Sequence, residues 1–311
     1  MGIVVTGAVF VDVKGFPSGH FIPRGRNAGK VEYVHGGVSR NIVENLANIG
    51  LDTAFVSLVD ETGAGRDVIA HLADHHVRTE FIRTVPGGMG TWLAVFDDHG
   101  DVFASVSQRP DLTPLKETLR ECGDRIFEHA DSFLLEIDMD EELVMEFLTF
   151  AEKYHVPVFA AVSNMSIALR RREYLRRCAC FICNLDEASQ FFRIDLDRIS
   201  VDELPDMLSS LIRDAGIPAM VITLGKDGCV YASSTGEKGQ LPSLDVRVLD
   251  TTGAGDAFFA GTCAALTYGL DLRSACRIGT VLSASVISTV SSTCEVMDPV
   301  VLGFPPSASR R

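Results

Sequence analysis

Short runs of apolar, β-branched residues alternate along this chain with longer stretches whose apolar positions recur at helical spacing. Residues 3–11, 53–59, 132–137, 156–162, 180–183 and 219–223 carry the first pattern and predict buried strands. Residues 39–49, 66–76, 115–129, 141–155, 201–215, 255–268 and 272–290 carry the second and predict helices, with Gly50 stopping the first of them. Strands and helices that take turns in this way predict an α/β fold. A mainly parallel sheet would lie between two helical layers, a three-layer α/β/α sandwich.

Two stretches break the rhythm. Residues 12–35 are rich in Gly, Pro and Arg ahead of a strand-like 30–34, and residues 80–107 hold consecutive strand patterns with no helix. Asp97-Asp98-His99-Gly100-Asp101, between 91–96 and 102–106, is a hairpin signal. Together these excursions predict a small β-sheet lid on a single domain spanning 1–311; a decorative surface hairpin is the alternative. A lid of that kind would exclude water from a site of group transfer.

The net charge of −14 offers no broad basic field, which argues against nucleic acid and anionic membrane as partners. Arg170, Arg171, Arg172, Arg176 and Arg177 read as a solvated helix face. No apolar run is long enough to span a bilayer and no signal peptide is visible, so the expectation is a cytoplasmic protein. The 8 cysteines are then expected to be reduced. Cys178, Cys180 and Cys183 sit in a strand-like run without a second pair or a histidine to complete a zinc set. His71, His75 and His76 have helical spacing and read as a solvated helix end, and 303–311 as a loose tail.

The chemistry concentrates in Asp250-Thr251-Thr252-Gly253-Ala254-Gly255-Asp256-Ala257-Phe258-Phe259-Ala260-Gly261, which follows an apolar, strand-like 244–249 and runs into a helix. Glycines at such a turn let backbone N–H groups approach an anion at a helix N-terminus. A carboxylate at that spot repels an anion unless the anion is a transferring phosphoryl group and the carboxylate takes the proton of the attacking hydroxyl. Read in isolation, Gly-x-Gly-Asp is equally a helix cap. The full segment resembles the C-terminal signature of the ribokinase-like (PfkB) family of carbohydrate and nucleoside kinases. That resemblance implies the ribokinase-like fold, with Gly253, Ala254 and Gly255 as an anion hole and Asp256 as catalytic base.

Other segments fall in the order the family would require. Gly36-Gly37-Val38-Ser39-Arg40-Asn41, followed by Glu44-Asn45-Leu46, resembles the family's N-terminal signature, most nearly its pseudouridine-kinase-like branch. The resemblance implies that Gly36, Gly37 and Asn41 contact substrate and that Asp12 grips sugar hydroxyls. Asn184-Leu185-Asp186-Glu187 reads on its own as a capped helix start. Within the family it implies nucleotide contact by Asn184 and a water-mediated Mg²⁺ near Glu187. Thr223, Gly225 and Gly228 form a strand–turn–strand that in the family lines nucleotide phosphates, and Asp250 and Thr252 border a K⁺ site. Two departures stand out: Val59-Asp60-Glu61-Thr62 replaces the common Val-Gly-x-Asp, and Ala161-Val162-Ser163 stands where an aspartate is usual.

The implied activity is ATP-dependent phosphotransfer to a hydroxyl, a primary one, of a sugar or ribonucleoside. Cofactors would be ATP and Mg²⁺, with K⁺ as a further candidate, and relatives dimerise through their lids. The alternatives are pseudouridine kinase in particular, or a non-catalytic sugar or nucleoside sensor on the same fold. No Walker G-x-x-x-x-G-K-[ST] occurs, and Phe258 stands where a dinucleotide fold would need its third glycine.

Overall fold

Side chains that alternate about each strand divide the core in two. In the computed structural model, which describes residues 2–162 and 164–308, thirteen strands occur among those residues. They are β1 (Ile3–Thr6), β2 (Phe10–Pro17), β3 (Gly29–Gly36), β4 (Thr53–Val59), β5 (Ile82–Thr84), β6 (Gly90–Phe96), β7 (Val102–Gln108), β8 (Ser132–Glu136), β9 (Val158–Ala161), β10 (Cys180–Asn184), β11 (Ala219–Thr223), β12 (Cys229–Ser233) and β13 (Lys238–Leu241). Nine form one sheet in the order β13-β12-β11-β10-β9-β8-β1-β4-β5. From β11 to β5 every pairing is parallel, and the last two strands add antiparallel.

On one face Val4, Val56, Leu135 and Ile222 pack against helices Leu115–Phe127, Glu141–Tyr154 and Leu204–Ala215. On the other, Val5, Phe55, Leu134 and Val221 meet helices Val38–Asn48, Gly63–Asp74, Ala254–Thr267 and Leu272–Ile287. The three-layer sandwich is therefore as the periodicity predicts. The smaller sheet, β3-β2-β6-β7, projects as the lid.

The boundaries differ from expectation in informative places. The run 3–11 divides at Gly7 into β1 and β2, so Asp12 lies within a lid strand, opposite Val34 and Trp92, and not in a loop after the first strand. β5 joins the main sheet, so the second lid excursion starts only at Gly90. The apolar 244–249 forms no strand: Leu244, Val248 and Leu249 are exposed, and the segment does not pair with β13, the edge strand just before it. Its hold on the fold is the Leu249 N–H to the Ile287 carbonyl, 2.7 Å. At the C-terminus, Phe304 and Ala308 are buried rather than loose. Residues 309–311 of that expected tail, like Ser163, lie outside the described residues.

Helices Ala254–Thr267 and Leu272–Ile287 touch backbone to backbone where Gly261 meets Gly279. A Cβ at Gly279 would strike the Thr262 hydroxyl and come within 2.7 Å of the Phe258 carbonyl, so neither helix can keep its place. Gly279→Ala should lower stability by about 1–3 kcal/mol in urea denaturation. Gly63→Ala, where an added Cβ meets nothing within 4 Å, should leave stability unchanged or slightly raised. Equal stabilities for the two variants would contradict this packing.

Candidate functional site

Strands β1, β8, β9, β10 and β11 end together at Thr6, Glu136, Ala161, Asn184 and Thr223, and the crevice beyond such carboxyl ends is where open α/β sheets bind ligands. The chain crosses this edge at the start of helix Ala254–Thr267. Gly253 caps that helix with φ 83°, and a side chain there would run into the Ser292 carbonyl, so only glycine fits. The Ala254 N–H closes on the Thr251 carbonyl at 3.2 Å. Gly255 and Asp256 follow in the first turn, where N–H groups have no intrahelical acceptor. Nothing lies within 4 Å of a Cβ built on Gly255, so its backbone faces open space.

Asp256 Oδ2 accepts a hydrogen bond from Asn41 Nδ2 at 2.7 Å. The residue keeps a partial opening to solvent, yet burial pushes its carboxyl up to about 6 from the usual 3.8. The Asn41 hydrogen bond and the charge of Arg40 pull the other way, and Glu136 pushes upward. A carboxylate poised there is ionised at neutral pH and is a better proton acceptor than an ordinary aspartate.

Asn41 is held in turn by Ser292, whose Oγ donates to Asn41 Oδ1 at 3.2 Å. Helix Val38–Asn48 positions it, with Gly37 as N-cap at φ 105°. Gly36 ends β3 directly against Asp12, whose carboxylate occupies the volume a Cβ at Gly36 would need. Burial raises the Asp12 carboxyl, while Lys14 and Arg40 oppose the rise. The structure thus brings Asp12, Gly36, Gly37, Asn41 and Asp256 into one connected patch.

Two residues in this patch escape sequence reasoning. Glu136, buried at the end of β8, accepts the Ala8 N–H at 3.0 Å and the Ser39 hydroxyl at 3.1 Å. Its carboxyl is pushed up, chiefly by burial. Arg40, 3% exposed, donates to Glu44 Oε2 at 2.6 Å, to the His35 carbonyl and to Ser292 Oγ at 3.3 Å. For Glu136 the sequence signal is a charge inside an apolar segment, and Arg40 appears only as one residue of the Gly36–Asn41 signature, with no role of its own.

Two adjoining cavities share Thr223 and Gly255. The first is mainly apolar and runs past Gly225, Gly228, Leu244, Phe258, Ala284 and Ile287. The second joins Asp256 to Asn184 and Glu187. Asn184 and Glu187 form a reciprocal capping box: Glu187 N–H to Asn184 Oδ1 at 2.8 Å and Asn184 N–H to Glu187 Oε2 at 2.9 Å. The Glu187 carboxyl is pushed up by burial and then by the charges of Asp138 and Asp186, although the Asn184 N–H holds it back. Carboxylates crowded in this way suit a hydrated divalent cation.

Asp250 Oδ1 accepts the Thr252 N–H at 2.8 Å, and both residues line a separate cavity with Ser291 and Thr293. They are not in the pocket that holds Asp256. Among the described residues, no helix is long and apolar enough to cross a membrane.

Comparison with known proteins places the chain in a family. Residues 2–297 match the pfkB family of carbohydrate kinases, and the chain belongs to that family. It is thus an ATP-dependent carbohydrate or nucleoside kinase. It is 29% identical over 292 residues to a guanosine-inosine kinase of Exiguobacterium acetylicum, covering 93% of this chain and 95% of that one. It is 25% identical over 295 residues to the pseudouridine kinase of Escherichia coli, covering 94% and 91%. Among solved structures, Arabidopsis thaliana ribokinase complexed with ribose and ATP superposes with a TM-score of 0.81 at 18% identity, over 97% of this chain and 99% of that one.

The raised Asp256 carboxyl sets a pH expectation. If Asp256 must be ionised to act, kcat/KM should fall on the acid side with a midpoint near 6. Asn41→Ala removes a hydrogen bond that favours the charged form, so the midpoint should move upward. A wild-type midpoint near the usual 3.8 would contradict the assignment.

Proposed function

We propose that this kinase transfers the terminal phosphoryl group of ATP to the primary hydroxyl of a ribonucleoside, with Asp256 as general base. The observation that carries the reading is the Asp256 carboxylate, held by Asn41 beside the open first turn of helix Ala254–Thr267 and raised in proton affinity. Asp12, Gly36, Gly37 and Asn41 bind the acceptor and orient its hydroxyl toward Asp256. Asp256 takes the hydroxyl proton as the oxygen attacks. The first-turn N–H groups at Gly255 and Asp256 receive the charge on the transferring group, Gly253 supplying the turn. Ala254 joins them only by exchanging its bond to Thr251.

Thr223, Gly225 and Gly228 line the nucleotide side, with Asn184 at its edge. Mg²⁺, held through water by Glu187, would neutralise phosphate charge there. Lys14 already places positive charge by Asp250, so K⁺ at Asp250 and Thr252 would act on the loop rather than on the reacting atoms. The preference for a nucleoside acceptor draws on the two whole-chain relatives named for nucleosides.

The lid and the cysteines each support a finer reading. Register places Val31, Tyr33, Leu93 and Val106 on the face opposite Asp12 and Trp92. Tyr33 is 75% and Val106 68% exposed, and a lid-to-lid homodimer would cover them. The eight free cysteines fit a reducing, cytoplasmic setting.

An ADP-release assay over guanosine, inosine, pseudouridine, uridine, ribose and fructose 6-phosphate tests the substrate class. A nucleoside should give the highest kcat/KM. Turnover confined to ribose or fructose 6-phosphate would contradict the nucleoside reading and leave the kinase assignment standing.

A further inference from the structure

Outside the pocket that holds Asp256, helix Gly63–Asp74 and its cap carry His71 and His75 one turn apart, facing helix Val38–Asn48, and His71 is on the wall of the cavity that Asp250 and Thr252 also line. Their rings lie 4.5 Å apart between centroids, and the ring of His35 stands 5.7 Å from that of His71. The sequence reads these histidines as a solvated helix end because the segment lacks a carboxylate-rich catalytic context. Folding brings one: Glu44, 4% exposed, with Oε2 at 3.1 Å from His71 Nε2. One donor atom from each of Glu44, His71 and His75 lies within 4.8 Å of the others.

The surroundings orient these donors. Asn48 Nδ2 donates to the Cys294 carbonyl at 2.7 Å, which turns its Oδ1 toward His75 Nδ1, also at 2.7 Å. His75 Nδ1 must then carry the proton, which puts the lone pair of the neutral ring on Nε2. Thr293 Oγ1 donates to Glu44 Oε1 at 2.8 Å and fixes that carboxylate. A histidine whose second nitrogen is anchored, next to a hydrogen-bonded carboxylate, is how protein metal ligands are usually supported.

We propose that Glu44, His71 and His75 form a binding site for a borderline transition-metal ion of the Zn²⁺ class. Two imidazoles and one carboxylate, with a position left for water, match the donor set of exchangeable zinc sites and not the all-oxygen set that Mg²⁺ prefers. The ion takes the place of the proton between His71 and Glu44. Arg40, on the same carboxylate, opposes the added charge and keeps the affinity moderate. Glu44 also anchors Arg40, which reaches Ser292 and through it Asn41, so two residues link the site to the Asn41 amide that holds Asp256.

Calorimetric titration of the full chain with Zn²⁺, in the absence of nucleotide and Mg²⁺, tests this. One saturable site is expected, and Co²⁺ should develop visible absorption bands at the same stoichiometry. His75→Ala should weaken Zn²⁺ binding at least about tenfold. Because His75 is partly exposed, that variant should keep its fold, which circular dichroism checks. His71→Ala should weaken binding likewise, and His76→Ala should leave it unchanged. No Zn²⁺ binding by the wild type, or undiminished binding by the folded His71→Ala/His75→Ala double variant, would overturn the proposal.

Discussion

The structure turns on a helix that buries its polar residues. Ser39, Arg40, Asn41, Glu44, Asn45 and Asn48 of Val38–Asn48 are all shielded from water, and buried polar groups must find partners or cost stability. Several of those partners come from 292–294, nearly the whole chain away. Ser292 meets Arg40 and Asn41, Thr293 meets Glu44, and Cys294 meets Asn45 and Asn48 through its backbone. That strap has two consequences at the site. It sets the Ser292 carbonyl against Gly253, which fixes the turn into helix Ala254–Thr267, and it steadies the Asn41 amide on Asp256.

The same constraint accounts for the proposed base. A carboxylate beside a helix N-terminus would ordinarily be favoured in its charged form. Here crowding by the protein outweighs the Asn41 hydrogen bond, and the charge of Glu136 adds to it, so the proton affinity rises instead. Charge is balanced across the patch, not within single pairs. Arg40 serves Glu44 directly and also lowers the proton affinities of Asp12 and Asp256.

Much of this was legible in the sequence, for a physical reason. The parallel sheet could be read because its strands are buried on both faces and so carry unbroken apolar runs. The turn at Gly253 and the carboxylate of Asp256 could be read because all of their chemistry lies within a few residues. Asn184 and Glu187 were legible both as a capping box, which the structure shows, and as a candidate magnesium site. Glu136 was not, and Arg40 was seen only as a residue of the Gly36–Asn41 signature, since the roles of both come from partners such as Ser39, 97 residues from Glu136, or Ser292, 252 from Arg40. His71 and His75 were set aside because the carboxylate that meets His71, the buried Glu44, is brought to it only by the packing of two helices. Residues 244–249 misled in the opposite direction, because strand-like spacing means little in a segment that leaves Leu244, Val248 and Leu249 exposed.

As general base, Asp256 would act on the barrier to phosphoryl transfer and not on binding. Rapid-quench single-turnover measurement of Asp256→Asn, with the acceptor that the wild type prefers, tests this most directly when paired with calorimetric affinities for ATP and acceptor. The expected result is a loss of transfer rate on the order of 10²- to 10⁴-fold with both affinities close to wild type. An undiminished single-turnover rate would contradict the account.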